Sequence, residues 1–152
     1  MSTIHLTTEI NAPQYEVFDA ARNIDLHQMS MDHTEEQAIA GRTSGLIQQG
    51  ETVTWRARHF GVMQELTVKI TEMKPHSTFT DEMVKGTFHS FKHVHTFSES
   101  DGVTTMHDEF TYKSPYGLLG RLVDFLILKK YMTRLLVTRN QRLKEHLETS
   151  KR

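Results

Sequence analysis

Apolar and polar residues alternate along most of the chain, with helical spacing after the first strand and again at the C-terminal end. In Thr3 to Ile10, the residues Ile4, Leu6, Thr8 and Ile10 share one side, the period of two that marks a strand. NAPQYEVFDAARN then predicts a helix: Asn11 can cap it, Pro13 suits its first turn, and Val17, Phe18 and Ala21 form an apolar face. IDLHQMSM predicts a second short helix, held on the core by Leu26, Met29 and Met31.

A run of strands follows. Glu36 to Ala40 is short. Glu51 to His59 places Val53, Trp55 and Ala57 on one face, and Val62 to Met73 places Gln64, Leu66, Val68 and Ile70 on one face. A two-residue turn at Phe60-Gly61 pairs His59 with Val62, Ala57 with Gln64, Trp55 with Leu66 and Val53 with Val68, so the apolar sides coincide. Thr78 to Val84 leads through Lys85-Gly86-Thr87 into FHSFKHVHTF (88–97). A three-residue loop there pairs Met83 with His89, Asp81 with Phe91 and Phe79 with His93. A last hairpin at SESDG, with Glu99 opposite Gly102, sets Phe97 against Thr104, His95 against Met106, His93 against Asp108 and Phe91 against Phe110.

After KSPYG the pattern is helical from about Leu118 to Leu147, a rod of roughly 45 Å. Leu122, Phe125, Leu126, Met132, Leu135, Leu136, Leu143 and Leu147 form its stripe. Its first half is apolar over more than a narrow stripe, which predicts deep packing or a partner. Strand, two helices, about six antiparallel strands and one long helix make an α+β layout with the sheet packed on the final helix.

Composition narrows the function. The 152 residues suffice for one domain, taken as residues 1–152, and 37% hydrophobic with 24% charged residues fits a globular protein. The absence of cysteine excludes disulfides, thiolate zinc sites and thiol catalysis. MSTIHLTTEI lacks the basic and apolar segments of a secretory leader, and no run of about 18 apolar residues exists, so a cytoplasmic protein without an integral membrane segment is expected. Residues 1–117 carry 9 Lys+Arg against 16 Asp+Glu, a balance of −7, whereas residues 118–152 carry 9 against 3, a balance of +6. Such a basic helix is suited to anionic lipid or nucleic acid, but a solvated basic face beside an acidic sheet explains it more simply, and no nucleic-acid partner is expected.

GETVTWRARHFG (50–61), FTDEMVKGTFHSFKHVHTF (79–97) and MHDEFTYKSPYGLLGRL (106–122) resemble the SRPBCC superfamily, the START-like or helix-grip proteins. These include the major birch pollen allergen, aromatic polyketide cyclases and coenzyme Q-binding proteins, and the nearest likeness is to a bacterial ligand-binding, cyclase/dehydrase-like subgroup. The resemblance implies a curved antiparallel sheet of about six to seven strands wrapped on the long C-terminal helix, with a cavity between them for an apolar ligand. It implies no cofactor and supplies no universal catalytic motif. Members range from lipid carriers to cyclases, so the fold does not choose the activity.

Strand parity nominates the site. With Phe91 and Phe97 inward, His93 and His95 are inward too, and so are Met106, Asp108, Phe110 and Tyr112 on one neighbour and Phe79, Asp81 and Met83 on the other. His89 falls near the turn. Four readings of the Asp81, His93, His95 and Asp108 cluster stand open. It is a satisfied polar network, a set that orients a ligand's polar end, a general acid–base pair with Asp108 orienting His93 or His95, or a two-histidine, one-carboxylate metal set. Histidine-x-histidine alone is weak evidence for a metal, and none is expected. Trp55, Gln64 and Leu66, with Phe125 and Met132 of the helix, complete the expected lining, and the Tyr112 hydroxyl is a further ligand contact. His59 stabilises its turn or, alternatively, caps the pocket mouth, Met29 and Met31 fill the core or, alternatively, gate the pocket, and RTSGLIQQG (42–50) is expected to form a mobile loop over it. Gly117 and Gly120 set the angle at which the chain enters the helix. The expected function is binding of a small hydrophobic, lipid-like or aromatic molecule. The alternatives are a polyketide cyclase or dehydratase using the same cavity, and a module that docks a partner or membrane through the helix.

Overall fold

The computed structural model describes residues 1–115 and 117–150, with the backbone alone at 120, 121, 124 and 125. In chain order the elements are β1 (Ser2–Ile10), α1 (Gln14–Ala21), α2 (Ile24–Ser30), a 3-10 turn (Asp32–Thr34), β2 (Gln37–Gly41), β3 (Thr52–His59), β4 (Val62–Lys74), β5 (Thr78–Lys85), β6 (Ser90–Ser100), β7 (Val103–Lys113), α3 (Gly117–Val123), a π-helical turn (Asp124–Leu128) and α4 (Lys129–Thr149). The strands form one antiparallel sheet in the order β1-β7-β6-β5-β4-β3-β2. Bulges in β2 and β4 bend it. Its concave face grips α4, the helix-grip arrangement. Val53, Val68, Ile70, Phe97 and Met106 of the sheet share a buried core with Leu136, Leu143 and Leu147 of α4. From α1, Phe18 meets Phe79 and Phe97 edge-on, with centroids at 5.6 and 5.3 Å.

The β3–β4 hairpin has the register its alternation predicts, from His59–Val62 to Val53–Val68. Phe60 and Gly61 take φ of 54° and 74°, the double positive φ of a tight turn that matches strand twist. The other two hairpins differ from expectation by two residues. The last turn is Asp101-Gly102, not Ser100-Asp101, again with both φ positive (53° and 80°). Ser100 therefore faces Val103, which puts His95 opposite Asp108, His93 opposite Phe110 and Phe91 opposite Tyr112. The β5–β6 connection is wider than three residues because Phe88 folds inward onto Phe91 and Tyr112 (6.2 and 5.3 Å). Asp81 consequently faces His93, and Phe79 faces His95. A slip of two leaves every side chain on its predicted face.

The C-terminal helix is not one rod. Its π-helical turn admits one residue more than an α turn, which rotates the apolar stripe by roughly 100° between α3 and α4. Leu135, Leu136, Leu143 and Leu147 are buried as expected, but Leu122 and Leu126 are each 56% exposed. Phe125's side chain lies outside the described residues, as does Gly120. Among the described residues no helix is long and apolar enough to cross a membrane.

Three smaller expectations also change. Asn11 does not cap α1. Pro13 holds the cap position, and the Glu99 carboxylate accepts from the Gln14 backbone N–H at 2.6 Å, placing a negative charge at the helix N-terminus. Met29 is exposed, whereas Met31 is buried. Segment 42–50 is pinned rather than free: Ile24 N–H donates to Gly45 O, Gly50 N–H donates to Ile70 O, and Ile47 is buried.

Gly41 ends β2 at φ +73°, where an added Cβ would lie 2.3 Å from Thr52 O, while the space around Gly102 is open. Gly41→Ala should lower unfolding free energy by more than about 2 kcal/mol and Gly102→Ala by about 1 kcal/mol, measured by urea denaturation. Equal costs would contradict the packing at Gly41.

Candidate ligand-binding site

Among the described residues, two hollows beside the sheet stand out. The larger, about 470 Å³, sits between the β3–β4 end of the sheet and the α3–α4 junction. Trp55, Ala57, Leu66 and Phe91 line it from the sheet, Phe88 from the loop, and Leu119, Val123, Leu128 and Met132 from the helices. Its polar groups are Glu36, Gln64, Glu65, Thr87, Ser114 and a bonded pair, His59 Nδ1 and Tyr131 Oη, 2.7 Å apart. Burial lowers the His59 pKa and raises that of Tyr131, so both are neutral at pH 7 and the imidazole tautomer sets which one donates. Gln64 donates to His59 O at 3.3 Å and accepts from Thr87 Oγ1 at 3.3 Å.

Trp55 closes the inner end. His27 packs on its indole with centroids 4.4 Å apart, and His27 Nε2 is 2.9 Å from a buried carboxylate, Glu36 Oε1. Beyond this wall lies a chamber of about 70 Å³, room for a few waters or one small group. Asp81, His93, His95 and Arg139 line it, together with Val53, Val68, Ile70 and Phe79 of the sheet and Ile24 and Ile47 opposite.

The histidines and carboxylates form one network. His93 Nε2 is 2.8 Å from Asp108 Oδ1, and His95 Nε2 is 2.8 Å from Asp81 Oδ1. Each bond reaches across the sheet diagonally, since the directly opposed pairs are His93–Phe110 and His95–Asp108. Asn140 of α4 donates to Asp108 Oδ2 at 2.7 Å and lies 3.3 Å from Thr8 Oγ1. His95 Nδ1 is 3.2 Å from Asp108 Oδ1, yet poorly aligned and without a hydrogen bond. The Asn140 carbonyl oxygen is also buried without a partner. Burial, with the neighbouring His95 charge, pushes the His93 pKa down to about 4. For His95, burial opposes the charge, but the carboxylates of Asp108 and Asp81 outweigh it and raise the pKa. Burial likewise works against charge on Asp81 and Asp108, and their histidine partners overcome it, holding both pKa values down. The surroundings thus favour the proton on His95 and disfavour it on His93.

Asp81, His93 and His95 bring three ligating atoms within 4.8 Å, but the arrangement does not fit a metal. The two imidazoles are stacked, with centroids 3.8 Å apart and planes at 27°. Each Nε2 is already bonded to a carboxylate, His93 to Asp108 of β7 and His95 to Asp81 of β5. The Arg139 guanidinium lines the same chamber and repels a cation.

The expected site residues therefore divide. Trp55, Gln64, Leu66, Phe91 and Met132 line the larger cavity. Phe79, Asp81, His93 and His95 line the chamber, as Trp55 does on its other side. Met106, Asp108, Phe110 and Tyr112 are buried outside both walls. His59 lines the larger cavity, while segment 42–50 reaches the chamber through Ile47. Sequence reasoning missed Tyr131, Phe88, Arg139 and Asn140. For the last two a signal existed: Met132, Leu136, Arg139, Leu143 and Leu147 recur at helical spacing, so Arg139 and its neighbour Asn140 sit on the buried stripe.

A family model described as polyketide cyclase / dehydrase and lipid transport matches residues 1–148. The chain belongs to this family. Solved structures share its helix-grip fold. TTHA0849 from Thermus thermophilus superposes with a TM-score of 0.81 at 16% identity, over 99% of this chain and 100% of that one. A START superfamily protein from Mycobacterium smegmatis gives 0.74 at 10% identity, over 97% of each chain. Ginseng major latex-like protein 151 from Panax ginseng gives 0.67 at 11% identity, over 96% and 97%. At these identities the likeness is one of fold. A search of curated proteins finds no match. Family and fold are consistent with hydrophobic ligand binding.

His93 gives stability a pH dependence. Its folded pKa lies below the ordinary histidine value of 6.5, so the unfolded chain takes up that proton first. Stability should fall as pH drops from about 6.5 to about 4, by on the order of 3 kcal/mol from this group. His95 does not offset this loss, because its raised pKa gives stability already present below 6.5 and lost only as pH rises through the folded value. Urea titrations of the His93→Gln variant should show a flatter slope over that window. An unchanged slope would contradict the assignment.

Proposed function

We propose that the protein binds a small hydrophobic molecule, lipid-like or aromatic, in the larger cavity. The observation that carries this reading is the cavity's size and wall: about 470 Å³, lined mainly by aliphatic and aromatic side chains. That volume falls in the ~300–1,000 Å³ range of small-molecule sites. Apolar burial supplies affinity at about 25 cal/mol per Å². The His59–Tyr131 pair, with Gln64, orients a hydroxyl or carbonyl on the ligand.

Binding is favoured over cyclisation because the charged His/Asp pairs sit behind Trp55, away from the larger cavity. At that cavity the titratable groups are His59 and Tyr131, bonded to each other, Glu36, bonded to His27, and Glu65.

Titration with the dye 1-anilinonaphthalene-8-sulfonate, following energy transfer from the lone tryptophan, should give saturable binding. Ala57→Phe, which fills the cavity from β3, should weaken it at least tenfold with the fold retained by circular dichroism. Organic extraction of the purified protein followed by mass spectrometry should return the natural ligand. Dye binding that is unsaturable, or equal in the filled variant, would refute the proposal.

Tyr131→Phe should leave the affinity for naphthalene unchanged and weaken that for 2-naphthol by about threefold to tenfold, the net worth of one hydrogen bond. Equal effects on both compounds, measured by calorimetry, would remove Tyr131 from the orienting role.

A further inference from the structure

Arg139 is the unexplained charge in this protein. Its side chain projects from the middle of α4 and is 5% exposed. A buried guanidinium carries five N–H donors and is costly to desolvate unless they are used. Yet its nearest carboxylate oxygen, Asp108 Oδ1, is 4.0 Å away, beyond hydrogen-bond reach, and among the described residues Arg139 donates no side-chain hydrogen bond. Asp108 is already taken by His93 and Asn140, and Asp81 by His95. Arg139 instead lines the 70 Å³ chamber, whose wall combines aliphatic and aromatic side chains with Arg22, Asn23, His27, Asp81, His93 and His95. An unspent planar fork facing a small, half-open space of this size matches one chemistry above others, a carboxylate held by paired N–H bonds.

We propose that the chamber behind Trp55 is a carboxylate-binding site with Arg139 as its anchor. Two sources supply such a group: a free short-chain carboxylate, or the head of a longer apolar acid whose tail passes Trp55 into the larger cavity. Only the second rests on the ligand-binding role of that cavity.

Charge balance makes the binding proton-linked. The groups facing Arg139 are Asp81 from β5, His93 and His95 from β6, Asp108 from β7, His27 from α2, and Arg22 at the end of α1. Arg22 is occupied by Asp19 at 2.9 Å, and His27 by Glu36. Arg139 and the two histidines stand against the carboxylates of Asp81 and Asp108, and an entering carboxylate adds a further negative charge. His93, 2.8 Å from Asp108, is the group placed to take up the balancing proton. The affinity for carboxylate therefore rises as pH falls, by up to about tenfold per unit.

The test is calorimetric titration with sodium acetate and sodium decanoate at pH 6 and pH 8, with sodium chloride as the ionic control. Saturable binding of either acid, tighter at pH 6, is expected. Arg139→Met should weaken it by about 10- to 100-fold, the worth of a charge-assisted hydrogen bond. Arg139→Lys, which keeps the charge but not the fork, serves if the methionine variant fails to fold and should lose about threefold to tenfold by the same scale. Ala57→Phe separates the sources: it should spare acetate and weaken decanoate only if the tail uses the larger cavity. Absence of saturable binding for both acids, or wild-type affinity in a folded Arg139 variant, overturns the proposal. Failure of the larger cavity to bind the naphthalene dye would leave the acetate result standing.

Discussion

The Asp108 carboxylate is the point on which the grip of sheet and helix turns. It is fully buried in β7, where an unpaired negative charge would be strongly unfavourable. His93 of β6 and Asn140 of α4 hold its two oxygens, and Asn140 also reaches Thr8 of β1. Three strands and the helix are thus tied through one side chain. Apolar packing at Leu136, Leu143 and Leu147 could tolerate a helix shifted along its axis. The Asn140–Asp108 bond could not, so a buried polar contact supplies position where hydrophobic contact supplies adhesion.

That division explains the two hollows. Near Asp108 the space under the sheet is filled by bonded polar groups and shrinks to a chamber. Toward the β3–β4 hairpin the tie is the His59–Tyr131 bond at the cavity wall, the π-helical turn interrupts the helix, and the walls stand apart around the larger cavity. Trp55 belongs to both, and His27 and Glu36 hold it from behind. The indole thus separates a region of low polarity from one organised around charge.

Much of this was legible in the sequence. Period-two alternation assigned the inner face of each strand, and Phe60-Gly61 fixed one hairpin to the residue. The partners of His93 and His95 were not legible in the same way. Alternation constrains register only modulo two, and an inward-folding Phe88 cannot be distinguished from an ordinary loop phenylalanine by pattern alone. The helix was harder still. Leu122 and Leu126 fit an unbroken α period, and the extra residue of a π-helical turn leaves no compositional trace. Arg139 and Asn140 have the spacing of the buried leucines, but their polarity does not mark them as interior. Residue type misleads at a site where the environment, not the side chain, is exceptional.

The Asp101-Gly102 turn carries a meaning its location conceals. It lies at the far end of a hairpin, in solvent, and touches neither hollow. Yet it selects which histidine stands beside which carboxylate several residues away, because both strands are read outward from it. A two-residue gain or loss at that surface would keep every apolar side chain inside and still exchange the partners of the buried ionisable groups. The wiring of the interior is written in a loop, and variation at the tip would be felt as altered protonation at the core long before it was felt as misfolding.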